Sequence, residues 1–151
     1  MTDLLTSIEG STLAAWVRES PSIWAYATVL TLHTVGLAIV VGASVVVDFR
    51  LLGCAPRIPL PSLRALFPIM CWGFALNFAT GVLLFMADAT TKSGQTVFYV
   101  KLACIALALI VARTIAKRLR QQDDGHLRIL AMLSLLLWAG AIVSGRLMAY
   151  L

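Results

Sequence analysis

Long apolar runs alternate with short polar stretches along the whole chain. Between Ile23 and Val47 there is no Asp, Glu, Lys or Arg. At a rise of ~1.5 Å per residue such a run crosses a hydrocarbon core of roughly 30 Å. Comparable runs follow, and the pattern predicts membrane-spanning helices over about residues 22–49, 66–87, 96–116 and 129–150. Before the first of them, Thr12 to Glu19 (TLAAWVRE) sets Leu13, Ala14 and Trp16 among polar positions, which predicts a turn or two of interfacial helix anchored by Trp16.

The connections carry their own signals. Ser20 and Pro21 suit an N-cap followed by proline in the first helical turn. Gly53 to Ser62 (GCAPRIPLPS) holds three prolines and reads as a loop. Asp88 to Gln95 reads as a polar hairpin, and Lys117 to Arg128 (KRLRQQDDGHLR) as a charged connection broken at Gly125. Small residues recur four apart within the spans: Gly73, Asn77 and Gly81; Ala108, Ala112 and Ala116; Ala141, Gly145 and Ala149. Such stripes let helix backbones approach closely in lipid. The expected fold is a single all-α integral membrane domain over residues 1–151, an antiparallel four-helix transmembrane bundle with a short N-terminal interfacial helix.

Composition agrees: the chain is 60% hydrophobic and 13% charged, a balance suited to lipid and not to water. A net charge of +5 raises nucleic acid as a partner, but the basic residues sit at the ends of apolar runs without interleaved aromatics, so none is expected. Their placement speaks to topology instead. Arg50, Arg57 and Arg64 fall in the first connection and Arg113, Lys117, Arg118, Arg120 and Arg128 around the third, against Arg18, Lys92, Lys101 and Arg146 on the other side. The positive-inside rule then puts both termini outside, in the periplasm for a bacterial inner-membrane protein. The N-terminus lacks a positive n-region, so no cleaved signal peptide is expected. Cys54, Cys71 and Cys104 form no C-x-x-C or C-x-x-C-H pattern, which argues against a disulfide framework and against covalently attached haem.

Against this background His33 stands out, an ionisable ring about ten residues into the first span, hence ~15 Å deep. Such a group costs at least ~2–3 kcal/mol unless it faces protein, water or a ligand. It is either a buried histidine bonded to a neighbouring hydroxyl or carbonyl, or a neutral imidazole ligating haem iron or copper. Val40, Ser44 and Asp48 continue its face. Lys101, about one turn into the third span, either snorkels to the headgroups or joins Arg146 and Asp88 in an outer cluster able to hold haem propionates. Met70, Cys71, Met86, Cys104 and Met148 are soft ligands for Cu(I), but Met70 and Cys71 fall in the inner half and Met86 and Met148 in the outer. His126 reads as solvated beside Asp123 and Asp124, while Asn77, Thr80 and Trp138 read as interhelical hydrogen-bonding groups. The spans show no nucleophile with its base, no Gly-rich phosphate loop and no facing carboxylates, so no catalytic residue is assigned.

The order LHTVGLAIVVGASVVVDFR (residues 32–50), then Gly81 in the later half of a second span, then FYVKLACIALAL (residues 98–109) resembles a group of bacterial four-helix membrane proteins. That group is distantly similar to the CopD copper resistance domain and to HemJ-type protoporphyrinogen oxidase. The resemblance implies a haem b protein with His33 as axial ligand, Lys101 as a second ligand or propionate partner, and Arg50 matching the arginine that closes the first span. A tryptophan after the histidine, and further histidines after Arg50 and in the third span, are absent here. Haem binding is therefore carried over and porphyrinogen oxidation is not. The expected function is an inner-membrane haem b redox protein, an oxidoreductase component exchanging electrons with quinone or a periplasmic partner, with Arg146 in electrostatic support. CopD-like copper handling is the alternative, and a noncatalytic membrane subunit or homo-oligomer the third.

Overall fold

The computed structural model describes residues 2–19, 24–121 and 125–150. It is all-helical among those residues, in the order α1 (Thr2–Glu9), α2 (Thr12–Glu19), α3 (Trp24–Leu52), a 3₁₀ segment (Leu60–Ala65), α4 (Leu66–Met86), α5 (Ala89–Gly94), α6 (Thr96–Gln121) and α7 (Leu127–Leu147). The helices α3, α4, α6 and α7 are each long and apolar enough to cross a membrane. Only 17% to 33% of the most apolar window of each is buried inside the chain. The remainder, including Trp72, Ile110 and Leu136, faces outward, as a lipid-facing surface does. A multi-pass membrane bundle follows. Helices α1, α2 and α5 and the last turn of α7 lie at one end of it, the termini end; the 3₁₀ segment, the last turn of α6 and the first turn of α7 lie at the other, the far end.

The bundle has three tight seams and one wide one. Helix α3 packs along α4 and α7, and α7 along α6, whereas α4 and α6 do not pack along each other. The reason is side-chain size. At the α3–α4 seam a Cβ on Gly36 would stand 2.7 Å from the Asn77 backbone nitrogen and 2.9 Å from the Gly73 carbonyl, so only glycine permits this approach. Small residues close the other seams: Ala108, Ala131 and Ala141 are almost fully buried, and a Cβ on Gly140 would meet Cys104 Sγ at 3.2 Å. Between α4 and α6, by contrast, Phe67 and Phe74 pack into the core clusters around Ile115 and Ala108 and hold the backbones apart.

Boundaries depart from the hydropathy pattern where chemistry other than hydropathy decides them. Helix α6 continues past Ala116 through Lys117, Arg118 and Arg120 to Gln121, since lysine and arginine are good helix formers outside lipid as well. The hairpin 88–95 contains the short helix α5, and Thr2–Glu9 forms a helix that the apolar pattern does not predict. Ser11 opens α2, its Oγ accepting the Ala14 N–H at 3.3 Å. Gly53, at φ +91°, ends α3 in the left-handed conformation that favours glycine. In the far turn the left-handed residue is His126, at φ +61°, and not its neighbour Gly125. The Ser20–Pro21 cap falls outside the described residues.

At the far end Leu63 of the 3₁₀ segment is 1% exposed and plugs a cluster with Val47, Val111, Ile115, Leu119 and Leu127. Arg64 donates to the Leu119 carbonyl at 2.9 Å and so caps the last turns of α6.

Candidate functional site

His33 is placed by the α3–α4 seam. Its Nδ1 lies 2.9 Å from the Asn77 carbonyl and 3.1 Å from Thr80 Oγ1. A carbonyl can only accept, and the Thr80 hydroxyl donates to the Leu76 carbonyl at 2.7 Å, so Nδ1 carries the hydrogen. In the neutral ring this leaves the Nε2 lone pair uncommitted apart from a 3.5 Å approach of Asn77 Nδ2. That amide is better used by the His33 carbonyl, to which it donates at 2.8 Å. The arrangement fixes tautomer and ring orientation in the way that metal-ligating histidines are held. Gly81 makes it sterically possible, because a Cβ there would stand 3.1 Å from His33 Cε1.

His33 lines a cavity of about 660 Å³ at the termini end, within the size range of small-molecule and cofactor sites. It opens where the α4–α6 seam loses its filling. Above Phe74, α4 presents Gly81, and opposite it α7 presents Gly145, against which Lys101 lies: a Cβ on Gly145 would be 3.5 Å from Lys101 Cε and 3.7 Å from Nζ. Two glycines thus make room for His33 and Lys101 at this cavity. Leu30, Leu84, Phe98 and Met148 supply apolar wall. Phe85 and Phe98 stack across the gap between α4 and α6 with centroids 5.2 Å apart.

The mouth is charged and capped by the N-terminal helices. Glu9 and Arg18 both line the cavity and pair at 3.3 Å. Glu9 Oε2 accepts from the Thr90 hydroxyl at 2.6 Å and backbone N–H at 3.1 Å, which ties α1 to α5 and holds the carboxyl below the usual glutamate range. Arg18 also reaches the Ala87 carbonyl at 3.4 Å. Lys92 of α5 lines the cavity and donates to the Leu84 carbonyl. Burial pushes its ammonium below the ordinary lysine range, with nearby Asp88 acting in the opposite direction. Among the described residues no hydrogen bond or ion pair ties down the Lys101 ammonium.

Of the residues singled out from sequence, His33, Lys101 and Asp88 come together at this cavity. Arg146 does not. It neighbours Gly145, so the ~100° turn per residue of a helix carries it out of the cavity to an exposed position over the Tyr150 ring, 5.7 Å from its centroid. Arg50 sits at the far end, where its Nε donates to the Ile58 carbonyl, on the order of 25 Å along α3 from His33. Of the soft ligands only Met148 lines the cavity, and among the described residues no group of three His, Cys, Asp or Glu side chains gathers to hold a metal. His126 is exposed. Lys92, Arg18 and Glu9 line the cavity although no motif in the sequence marks them for it. The basic residues among them read as ordinary hairpin and pre-span charges, and the only signal was their position at the same end as Lys101.

A second polar group lies in the far half, on the continuation of the His33 face. Asp48 is fully buried and its Oδ2 accepts from Ser44 Oγ at 3.3 Å. Trp138 Nε1 donates to Ser44 Oγ at 3.0 Å, and Ser134 Oγ lies 3.2 Å from it. Val40, Ala108, Trp138 and Ala141 form an apolar plug between this group and the cavity. No family model matches the chain, and neither curated proteins nor solved structures show a match to it.

Proposed function

We propose that the cavity at the termini end binds haem b and that the chain is a membrane redox protein. The observation that carries this reading is the His33 ring, whose Nδ1–H is spent on a backbone carbonyl while Nε2 keeps its lone pair at a cavity-lining position. The residues fit the group. An imidazole held through its other nitrogen is a common axial ligand. Glycines at 81 and 145 keep the walls flat where a side chain would intrude. Lys101, Lys92 and Arg18 offer cations for the propionates, and Lys101 is also a candidate second ligand.

When bound, haem supplies a one-electron redox centre. The chain's own contribution is to orient the ring of His33 through Asn77 and Thr80, to hold carboxylates at the basic mouth, and to exclude water with Leu30, Leu84 and the Phe85–Phe98 stack. Electrons would pass to or from quinone in the bilayer or a partner at the termini end. The Lys and Arg distribution supports placing that end in the periplasm and the far end in the cytoplasm of a bacterial inner membrane.

Absorption spectra of the detergent-solubilised chain from haem-sufficient cells test the reading. A Soret band is expected in the wild type and is lost in His33→Ala; a colourless wild type refutes it. Copper handling is the second reading, favoured by the one thioether, Met148, that shares the cavity with His33. It predicts bound copper without a Soret band.

A further inference from the structure

The carboxyl of Asp48 is not used by the haem reading, and its surroundings are unusual for an ionised group. It is 0% exposed, and one oxygen, Oδ1, has no hydrogen-bond partner among the described residues. Removing a carboxylate from water costs several kcal/mol unless a cation and hydrogen bonds replace the solvent. Oδ2 has the donors. Ser44 gives its one proton to Oδ2, its lone pairs face Trp138 Nε1–H and Ser134, and the Ser134 hydroxyl is within reach of both Ser44 and the carboxyl.

No cation is there. From α4 the neighbours are Phe67 and Met70, from α6 Ala112 and Ile115, and from α7 Ser134 and Trp138. Of the far-end arginines, Arg50 donates to the Ile58 carbonyl and Arg64 to that of Leu119, and Arg57 makes no ion pair with Asp48. Among the described residues Asp48 has no ion pair.

The void beside Asp48 is too small for a water and is walled by Val47, Phe67, Met70, Ala112 and Ile115. A hard cation such as Na⁺ or Ca²⁺ would require several oxygen ligands, which those side chains do not have. The occupant that fits is the smallest cation.

We propose that Asp48 is a proton-binding site in the far half of the bundle, its carboxyl taking a proton on Oδ1 while Ser44, backed by Ser134, holds Oδ2. Uptake moves one proton from water to the carboxylate, with no change of oxidation state. Ionisable groups buried within spans commonly serve as proton relays in pumps and transporters. The apolar plug of Val40, Ala108, Trp138 and Ala141 closes the route to the His33 cavity, and the cluster around Leu63 closes the far end, so exchange requires a local opening of the bundle.

Infrared spectroscopy of the full chain in lipid tests the assignment. At neutral pH the wild type is expected to show a carboxylic-acid C=O band, separate from the carboxylate bands, that is lost in Asp48→Asn and fades as the pH is raised. Should Asp48→Asn fail to fold, Ser44→Ala and Ser134→Ala read the same band by shifting its frequency. A wild type with no such band at neutral pH, or a band unmoved by all three substitutions, overturns the proposal.

Discussion

The two halves of the bundle put opposite surroundings around one face of one helix. Helix α3 carries His33 toward the termini end and Ser44 and Asp48 toward the far end, yet the first group lines an open cavity and the second is sealed. The difference comes from the partners. Glycines 81 and 145 stand opposite His33 and Lys101, whereas Phe67, Ile115 and Trp138 enclose Asp48. The kind of site a buried polar residue makes is therefore set by the volume of what faces it as much as by its own chemistry.

The largest expected effect comes from the seam that both halves share. Gly36→Ala places a Cβ against backbone atoms that cannot rotate away, and should destabilise the chain by about 1–3 kcal/mol in reversible unfolding from lipid or detergent. Gly73→Ala meets Cγ2 and Cβ of the β-branched Ile39 at 2.7 and 2.9 Å and should cost a comparable amount, whereas Gly42→Ala, with nothing within 4 Å, should be neutral. Next is the sealed half. Trp138→Phe removes the Nε1–H donor to Ser44 and should cost about 0.5–2 kcal/mol in the same measurement, leaving ligand binding at the other end intact.

Gly81→Ala sharpens the contrast in the open half. Its Cβ presses on the His33 ring, so haem affinity should fall by roughly 10-fold in titrations followed at the Soret band, with little change in stability. Equal losses of affinity and stability would make Gly81 a packing residue like Gly36. The smallest effect concerns the cap. The Thr90 bonds hold the Glu9 carboxyl below its ordinary value, so the docking of α1 on α5 is complete above the usual carboxylate range and is lost as pH falls through the depressed value. Hydrogen exchange in α1 should rise at acid pH in the wild type, and at neutral pH in Glu9→Gln.

Much of the fold was legible because lipid imposes a length and a polarity that four runs satisfy. What stayed hidden has local causes. Helix α1 is too short and polar to register as an apolar run, ATTKSG reads as turn chemistry although it forms α5, and charged residues masked the last turn of α6. For the site, His33 and Lys101 were visible as ionisable groups in the spans, and Gly81 and Gly145 as small residues. Which helix faces which, at what height and rotation, is not encoded in any single run. Hence Gly145 turns to the cavity while Arg146 turns out, and Ser134 went unmarked although Trp138, read as an interhelical hydrogen-bonding group, does donate to Ser44 on α3.

Chemical rescue of His33→Gly asks whether the Nε2 nitrogen of His33 is presented to a ligand. The purified variant is titrated with haem, with and without added imidazole, and the Soret band is followed. Weak or no binding is expected without imidazole, and recovery of a wild-type-like spectrum with it. A variant that binds haem as the wild type does without imidazole would contradict it, as would a wild type that takes up no haem.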